Sequence, residues 1–190
     1  MKNRILFVWT NRYGFGFKPP SISHLSAISK KQGFETSLWD ASGSDSSFDT
    51  GEKKAEEQLI FKPVDWSKYN VERNKISMEK SFIKHYEDFK PDYLAFSVLN
   101  DERFLSSRIS KVAKEIEPSI RVIWGGKYPT INPGKVLKDY CVDYVNVGEG
   151  IESFPELLCA LRTGNDVSKI KNIWGKQDGF IFRNSVRPQK

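Results

Sequence analysis

Cysteine and histidine are both scarce here: the 190 residues contain two of each. Cys141 and Cys159 stand alone, with no second thiol close by in the chain. That spacing excludes a zinc knuckle, a thioredoxin-like redox pair and the cysteine cradle of an iron–sulfur cluster. Each lies beside apolar neighbours (Val142; Leu157 and Leu158), the setting of packing cysteines, and unpaired thiols fit a reducing cytoplasm. Long apolar runs are also missing. Nothing approaches the roughly 18 residues of a membrane span, and no basic start leads into an apolar segment, so neither insertion nor export is expected. Thirty Lys/Arg against 24 Asp/Glu leave a net charge of +6. No block of about five or six like charges occurs, so the charge reads as solvated surface. Without an RNA-recognition motif, a nucleic-acid partner is not expected. What remains, 38% hydrophobic and 28% charged residues, is the composition of a soluble globular chain of one domain.

Hydrophobic patterning alternates between strand and helix. Arg4 to Trp9 is a continuous apolar run, as expected of a strand buried on both faces. Ile22, Leu25 and Ile28 mark a short helix that ends before Gly33. Phe34 to Trp39 is a second strand. Residues 41 to 70 are turn-rich and irregular, and a helix is predicted over Glu72 to Phe89, stopping before Pro91. Tyr93 to Val98 is the third strand. Leu105, Ile109, Val112 and Ile116 form a helical stripe, with Asn100 or Asp101 available as its cap. Arg121 to Trp124 is the fourth strand, and Asn132-Pro133 opens a helix through Tyr140. Asp143 to Val147 is the fifth strand. Phe154 to Arg162 is the last helix, with Gly164 where a left-handed cap is wanted. Ile170 to Trp174 and Phe180 to Arg183 flank a Gln177-Asp178-Gly179 turn and read as a hairpin.

Five strand–helix units predict a doubly wound α/β domain over residues 1–165: a five-stranded parallel sheet in flavodoxin-like order 2-1-3-4-5. The C-terminal β-hairpin and the start of a linker take 166–190. Ligands in such folds bind beyond the carboxyl ends of the strands. The residues delivered there are Asn11-Arg12-Tyr13-Gly14, Ser97-Val98-Leu99-Asn100, Gly125 to Thr130, and Gly148-Glu149-Gly150. A dinucleotide loop is excluded because Gly14-Phe15-Gly16 runs into Phe17-Lys18-Pro19 without the third glycine. A P-loop is absent. Thr10-Asn11 and Ser97 replace the acidic residues of a phosphorelay receiver, and the first loop is not the Ser/Thr-rich phosphate loop of a flavodoxin.

Ser97-Val98-Leu99 and Gly125-Gly126 resemble the S-x-L and G-G elements of cobalamin-binding domains. Gly125-Gly126-Lys127-Tyr128-Pro129-Thr130, followed by Asp143 to Gly150, is similar to the G-G-x-x-P-T and D-x-V-x-x-G-E-G pattern found in the amino-terminal cobalamin-binding domain of cobalamin-dependent radical S-adenosylmethionine enzymes. Pro91-Asp92-Tyr93 and the closing hairpin resemble that family too. The resemblance implies a cobalamin cofactor, as methylcobalamin or hydroxocobalamin, bound base-off with its nucleotide tail threaded beside the sheet. Ser97 would bond the buried base, and Gly125 and Gly126 would let the tail pass. Asn11, Arg12, Tyr13 and Gly14, with Asn100 to Arg103, would cover the lower face of the corrin, and Leu99, Tyr128, Pro129, Thr130, Gly148 and Glu149 would complete the contacts.

The first loop lacks the histidine of D-x-H-x-x-G, so no protein ligand to cobalt is expected, and His24 lies inside the first helix. No catalytic or metal-ligating residue is assigned. The C-x-x-x-C-x-x-C motif is missing, so a 4Fe-4S cluster, S-adenosylmethionine and methyl transfer would belong to a downstream radical domain or protein. The bland alternative is a degenerate α/β interaction domain in which Ser97 ends a strand, the glycines turn tightly and Glu149 caps the last helix.

Overall fold

The computed structural model describes residues 3–10, 19–42, 44–45, 58, 66–69, 74–177 and 179–188. Five parallel strands form its centre: β1 (Arg4–Trp9), β2 (Glu35–Asp40), β5 (Tyr93–Ser97), β6 (Arg121–Gly125) and β7 (Tyr144–Asn146). They lie in the order β2-β1-β5-β6-β7, which is the flavodoxin-like arrangement. The hairpin of β8 (Ile173–Gln177) and β9 (Phe180–Arg183) extends the same sheet, with β8 antiparallel to β7. Asp178 of its turn lies outside the described residues.

Alternation along each strand divides the core in two. Leu6, Val8, Leu94, Phe96, Val122 and Trp124 face one side, while Ile5, Phe7, Trp9, Tyr93, Ala95 and Ile123 face the other. The first side is covered by α2 (Met78–Phe89) through Met78, Phe82 and Tyr86, and by α3 (Arg103–Ile116) through Leu105, Ile109 and Ala113. The second is covered by α1 (Pro20–Lys31) and α6 (Ser153–Thr163) through Ile22, Phe154, Leu157 and Leu158. Both faces therefore exclude water, which a parallel sheet requires. No described helix is long and apolar enough to cross a membrane.

Several boundaries differ from the sequence expectations. Helix α2 begins at Met78, not Glu72, because Asn74–Ser77 forms strand β4, which pairs in parallel with β3 (Ser44–Asp45) as a separate two-stranded sheet. Ser77 caps α2 by accepting from the Lys80 N–H. Ile76, within the stretch expected to be helical, is 49% exposed in β4. A short helix not expected from the sequence, α4 (Lys127–Ile131), follows β6, and the helix expected over 132–140 shrinks to the single turn of α5 (Pro133–Val136) followed by turns. Helix α3 starts after Glu102, and neither Asn100 nor Asp101 caps it. Instead Arg103 donates to the Asn100 carbonyl at 2.7 Å. The hairpin's first strand starts three residues later than expected, at Ile173, after Asn172 turns the chain with φ +69°.

Two motif acids act at the amino ends of the strands. Asp92 Oδ2 accepts from the Asn3 and Arg4 N–H groups at 2.9 and 3.0 Å, tying β5 to the start of β1. Asp143 Oδ2 accepts from the Val122 N–H at 2.7 Å and pairs with Lys114 Nζ at 2.9 Å. Both anchor the sheet at the end opposite the loops that follow the strands' carboxyl ends.

Candidate functional site

At the carboxyl ends of β1, β5, β6 and β7, on the α1/α6 side, lies a cavity of about 350 Å³. Its origin is a patch of small residues in the sheet. Phe7, Ala95 and Ile123 are register partners across β1, β5 and β6, so Ala95 leaves a gap between two large side chains. One step further along, Ser97 is the register partner of Gly125, and neither fills the next row. Ile22 and Leu25 of α1 and Phe154 of α6 close the sides. The floor is thus apolar and the rim polar, the usual build of a small-molecule pocket.

Of the residues expected at a ligand site, the cavity gathers Ser97, Gly125, Gly126, Gly148 and Glu149. Thr130 stands behind them as a tie: its hydroxyl donates to the Gly126 carbonyl at 2.8 Å and accepts from the Gly148 N–H at 3.0 Å. Tyr128 and Pro129 are buried in α4, where the Tyr128 N–H donates to the Val98 carbonyl at 3.1 Å. Leu99 and Asn100 are exposed on the β5–α3 turn, away from the cavity lining. Asn11, Arg12, Tyr13 and Gly14 lie outside the described residues.

The two adjacent glycines differ in what demands them. Gly126 has φ +100°, and a Cβ there would come within 2.8 Å of Val98 N and 3.0 Å of Val98 O. The space its side chain would take is filled by the protein's own backbone. Among the described residues, a Cβ at Gly125 would meet only Asn146 Cβ and Phe96 O, both at 3.8 Å, which leaves room there for a small side chain.

Sequence reasoning passed over Asn146 and Glu102. Asn146 is buried in the cavity wall; its Nδ2 donates to the Gly148 carbonyl at 3.1 Å and its Oδ1 accepts from Ser153 Oγ at 2.6 Å. Glu102 is buried beneath the Leu99–Asp101 turn, and burial pushes its carboxyl above the usual carboxylate range. His24 is exposed on α1 but lines the cavity from that helix. The small-residue floor had a legible signal: in Tyr93-Leu94-Ala95-Phe96-Ser97-Val98 one alternating face is large and the other shrinks from Tyr to Ala to Ser.

The model of the B12 binding domain matches residues 9–158. This chain belongs to that family. An uncharacterized methyltransferase of Pyrococcus horikoshii is 28% identical to this B12-binding domain over 106 residues, 55% of this chain and 23% of the relative. Anaerobic magnesium-protoporphyrin IX monomethyl ester cyclase of Synechocystis is 28% identical over 82 residues, 43% of this chain and 16% of the relative. Among solved structures, the radical S-adenosylmethionine methyltransferase TsrM from Kitasatospora setae superposes with a TM-score of 0.70 at 15% identity, covering 97% of this chain and 30% of TsrM. The cobalamin-dependent S-adenosylmethionine radical enzyme OxsB, with aqua-cobalamin and S-adenosylmethionine bound, gives 0.70 at 15% identity, covering 99% of this chain and 23% of OxsB. At that identity the likeness is one of fold. The chain spans less than a third of each of these proteins.

Proposed function

We propose that this B12-binding domain holds cobalamin base-off, with the nucleotide tail in the cavity and no histidine of this chain on the cobalt. The observation that carries the reading is the cavity itself, opened by Ala95, Ser97 and Gly125 on adjacent strands. Its residues suit the tail. The flat aromatic base needs an apolar slot, which Phe7, Ile22, Leu25 and Phe154 line. The Ser97 hydroxyl supplies a hydrogen-bond partner to a base that would otherwise lose its water partners on burial. Gly125 keeps the wall low enough for the ribose and phosphate to pass. Leu99 and Asn100, with Asn11 to Gly14, would lie against the lower face of the corrin.

Bound cobalamin supplies a cobalt centre able to carry and hand over a methyl group. The protein's part is to seat the tail, keep water from the base and hold the corrin at the strand ends. We further propose that the domain serves a radical S-adenosylmethionine methyltransferase in the cytoplasm, with the radical chemistry in a fused or separate partner. Support comes from the radical enzymes that share the fold and from the methyltransferase among the sequence relatives.

The test is incubation with hydroxocobalamin followed by desalting. Corrin absorption bands should stay with the protein at close to one equivalent. Complete loss of the bands on desalting would contradict cobalamin binding and favour the interaction-domain reading.

A further inference from the structure

Asn172 sits where three segments meet. It is 1% exposed and holds a left-handed backbone with φ +69°. Its carbonyl accepts from the Val147 N–H at 2.7 Å, at the end of β7. Its own N–H donates to the Ser185 carbonyl at 3.0 Å. The side chain divides its two functions: Oδ1 accepts from the Arg187 N–H at 2.7 Å, and Nδ2 donates to the Glu149 carbonyl at 3.0 Å. Every polar atom of this asparagine is therefore engaged, two with the segment after the hairpin and two with the strand end and loop that line the cavity.

Among the described residues, the Glu149 carbonyl has one other side-chain donor within reach. Ser153 Oγ lies 3.1 Å from the Glu149 carbonyl, but it also lies 2.6 Å from Asn146 Oδ1. A hydroxyl has one proton, and the shorter bond takes it. That leaves Asn172 as the main donor to the Glu149 carbonyl. The segment after the hairpin is itself fixed, because Arg187 pairs with Glu152 at 3.4 Å, just before α6, and with Glu156 at 2.6 Å in its first turn. Asn is one of the few side-chain-bearing residues that tolerates the left-handed region, so this position combines backbone tolerance with a donor and an acceptor.

We propose that Asn172 is a positioning residue for the cofactor site, holding the Gly148–Glu149 loop in its cavity-lining conformation and coupling it to the segment that follows the hairpin. The proposal rests on the cobalamin reading for its effect on binding, but the tether itself does not. Asn172→Asp isolates the relevant arm. It keeps the size, the tolerance of positive φ and the acceptor for the Arg187 N–H, while placing an acceptor against the Glu149 carbonyl.

Two measurements separate the tether from its effect on binding. In cofactor-free protein, amide hydrogen exchange at residues 148–152 should quicken at least about tenfold in Asn172→Asp, with the β1, β5 and β6 amides unchanged. Unchanged exchange at 148–152 would overturn the tether. With hydroxocobalamin, the dissociation constant should rise about tenfold, equivalent to about 1.4 kcal/mol. Equal affinity in variant and wild type would overturn the positioning role. Failure of the wild type to bind cobalamin would instead overturn the proposed function, and the exchange result would still decide the tether. Asn172→Gly keeps the left-handed backbone and drops both side-chain arms. It should quicken the same amides at least as much, and it decides the tether in the same way should the introduced carboxylate prevent folding.

Discussion

Replacing Gly126 by valine is expected to cost the fold at least about 3 kcal/mol, whereas replacing Gly125 by alanine should change stability by less than about 1 kcal/mol. The contrast follows from the two environments. Gly126 combines φ +100° with ψ −169°, a region essentially reserved for glycine, and its would-be Cβ runs into the Val98 backbone at 2.8 and 3.0 Å. Those atoms belong to a locked turn, since the Val98 N–H donates to the Gly125 carbonyl at 2.8 Å and the Val98 carbonyl accepts from Tyr128. Neither can retreat without breaking a hydrogen bond, the N–H to the end of β6 or the carbonyl to α4. Thermal unfolding followed by circular dichroism should show Gly126→Val melting at least roughly 6 °C lower. Gly125→Ala should melt close to wild type. Equal melting of both variants would mean that the β5 and β6 loops do not approach as closely as described.

Asp143→Ala is expected to destabilise the domain by about 3–5 kcal/mol, the range for breaking a largely buried ion pair. Lys114 and Asp143 side chains are 13% and 18% exposed, and the ammonium also donates to the Ile120 carbonyl at 2.7 Å. Truncating Asp143 strands the lysine charge and orphans the Val122 N–H, so two costs add. The double variant Lys114→Met with Asp143→Asn removes the charge while keeping an acceptor for Val122, and it should recover more than half of the loss. Urea denaturation measures both. Because Asp143 sits at the amino ends of the strands, folded Asp143→Ala should retain cobalamin as wild type does. A weakened cofactor with unchanged stability would contradict this structural role.

Much of the architecture was legible because burial on both faces writes strands as apolar runs. Arg4–Trp9, Tyr93–Ser97 and Arg121–Gly125 need no other support, and the intervening helices force parallel order. What escaped has local causes. Strand β4 is Asn-Lys-Ile-Ser, with no apolar run, and it pairs with Ser44–Asp45 some thirty residues earlier. Helix α4 contains Pro129, which reads as a breaker, yet a proline in the first turn loses only an N–H that has no intrahelical partner there. The site divides the same way. Ser97 and the glycines stood out because they fall at strand ends and resemble the S-x-L and G-G elements. Asn146 and Asn172 did not, since a buried asparagine bonded to backbone across 2 to 23 residues leaves no periodic trace.

If the nucleotide tail of cobalamin occupies the cavity between α1, α6 and the strand ends, filling that cavity must weaken only corrinoids that carry the tail. The decisive comparison is between the dissociation constants of cobalamin and of cobinamide, which shares the corrin but lacks the nucleotide, for the wild type and for Ser97→Phe. Filling a packed slot typically costs about 1–3 kcal/mol, so cobalamin should bind Ser97→Phe roughly tenfold to a hundredfold more weakly. Cobinamide should bind the wild type at least about tenfold more weakly than cobalamin and be indifferent to the substitution. Equal affinity of the two corrinoids for the wild type, or an equal loss of both in Ser97→Phe, would contradict the placement of the tail in this cavity.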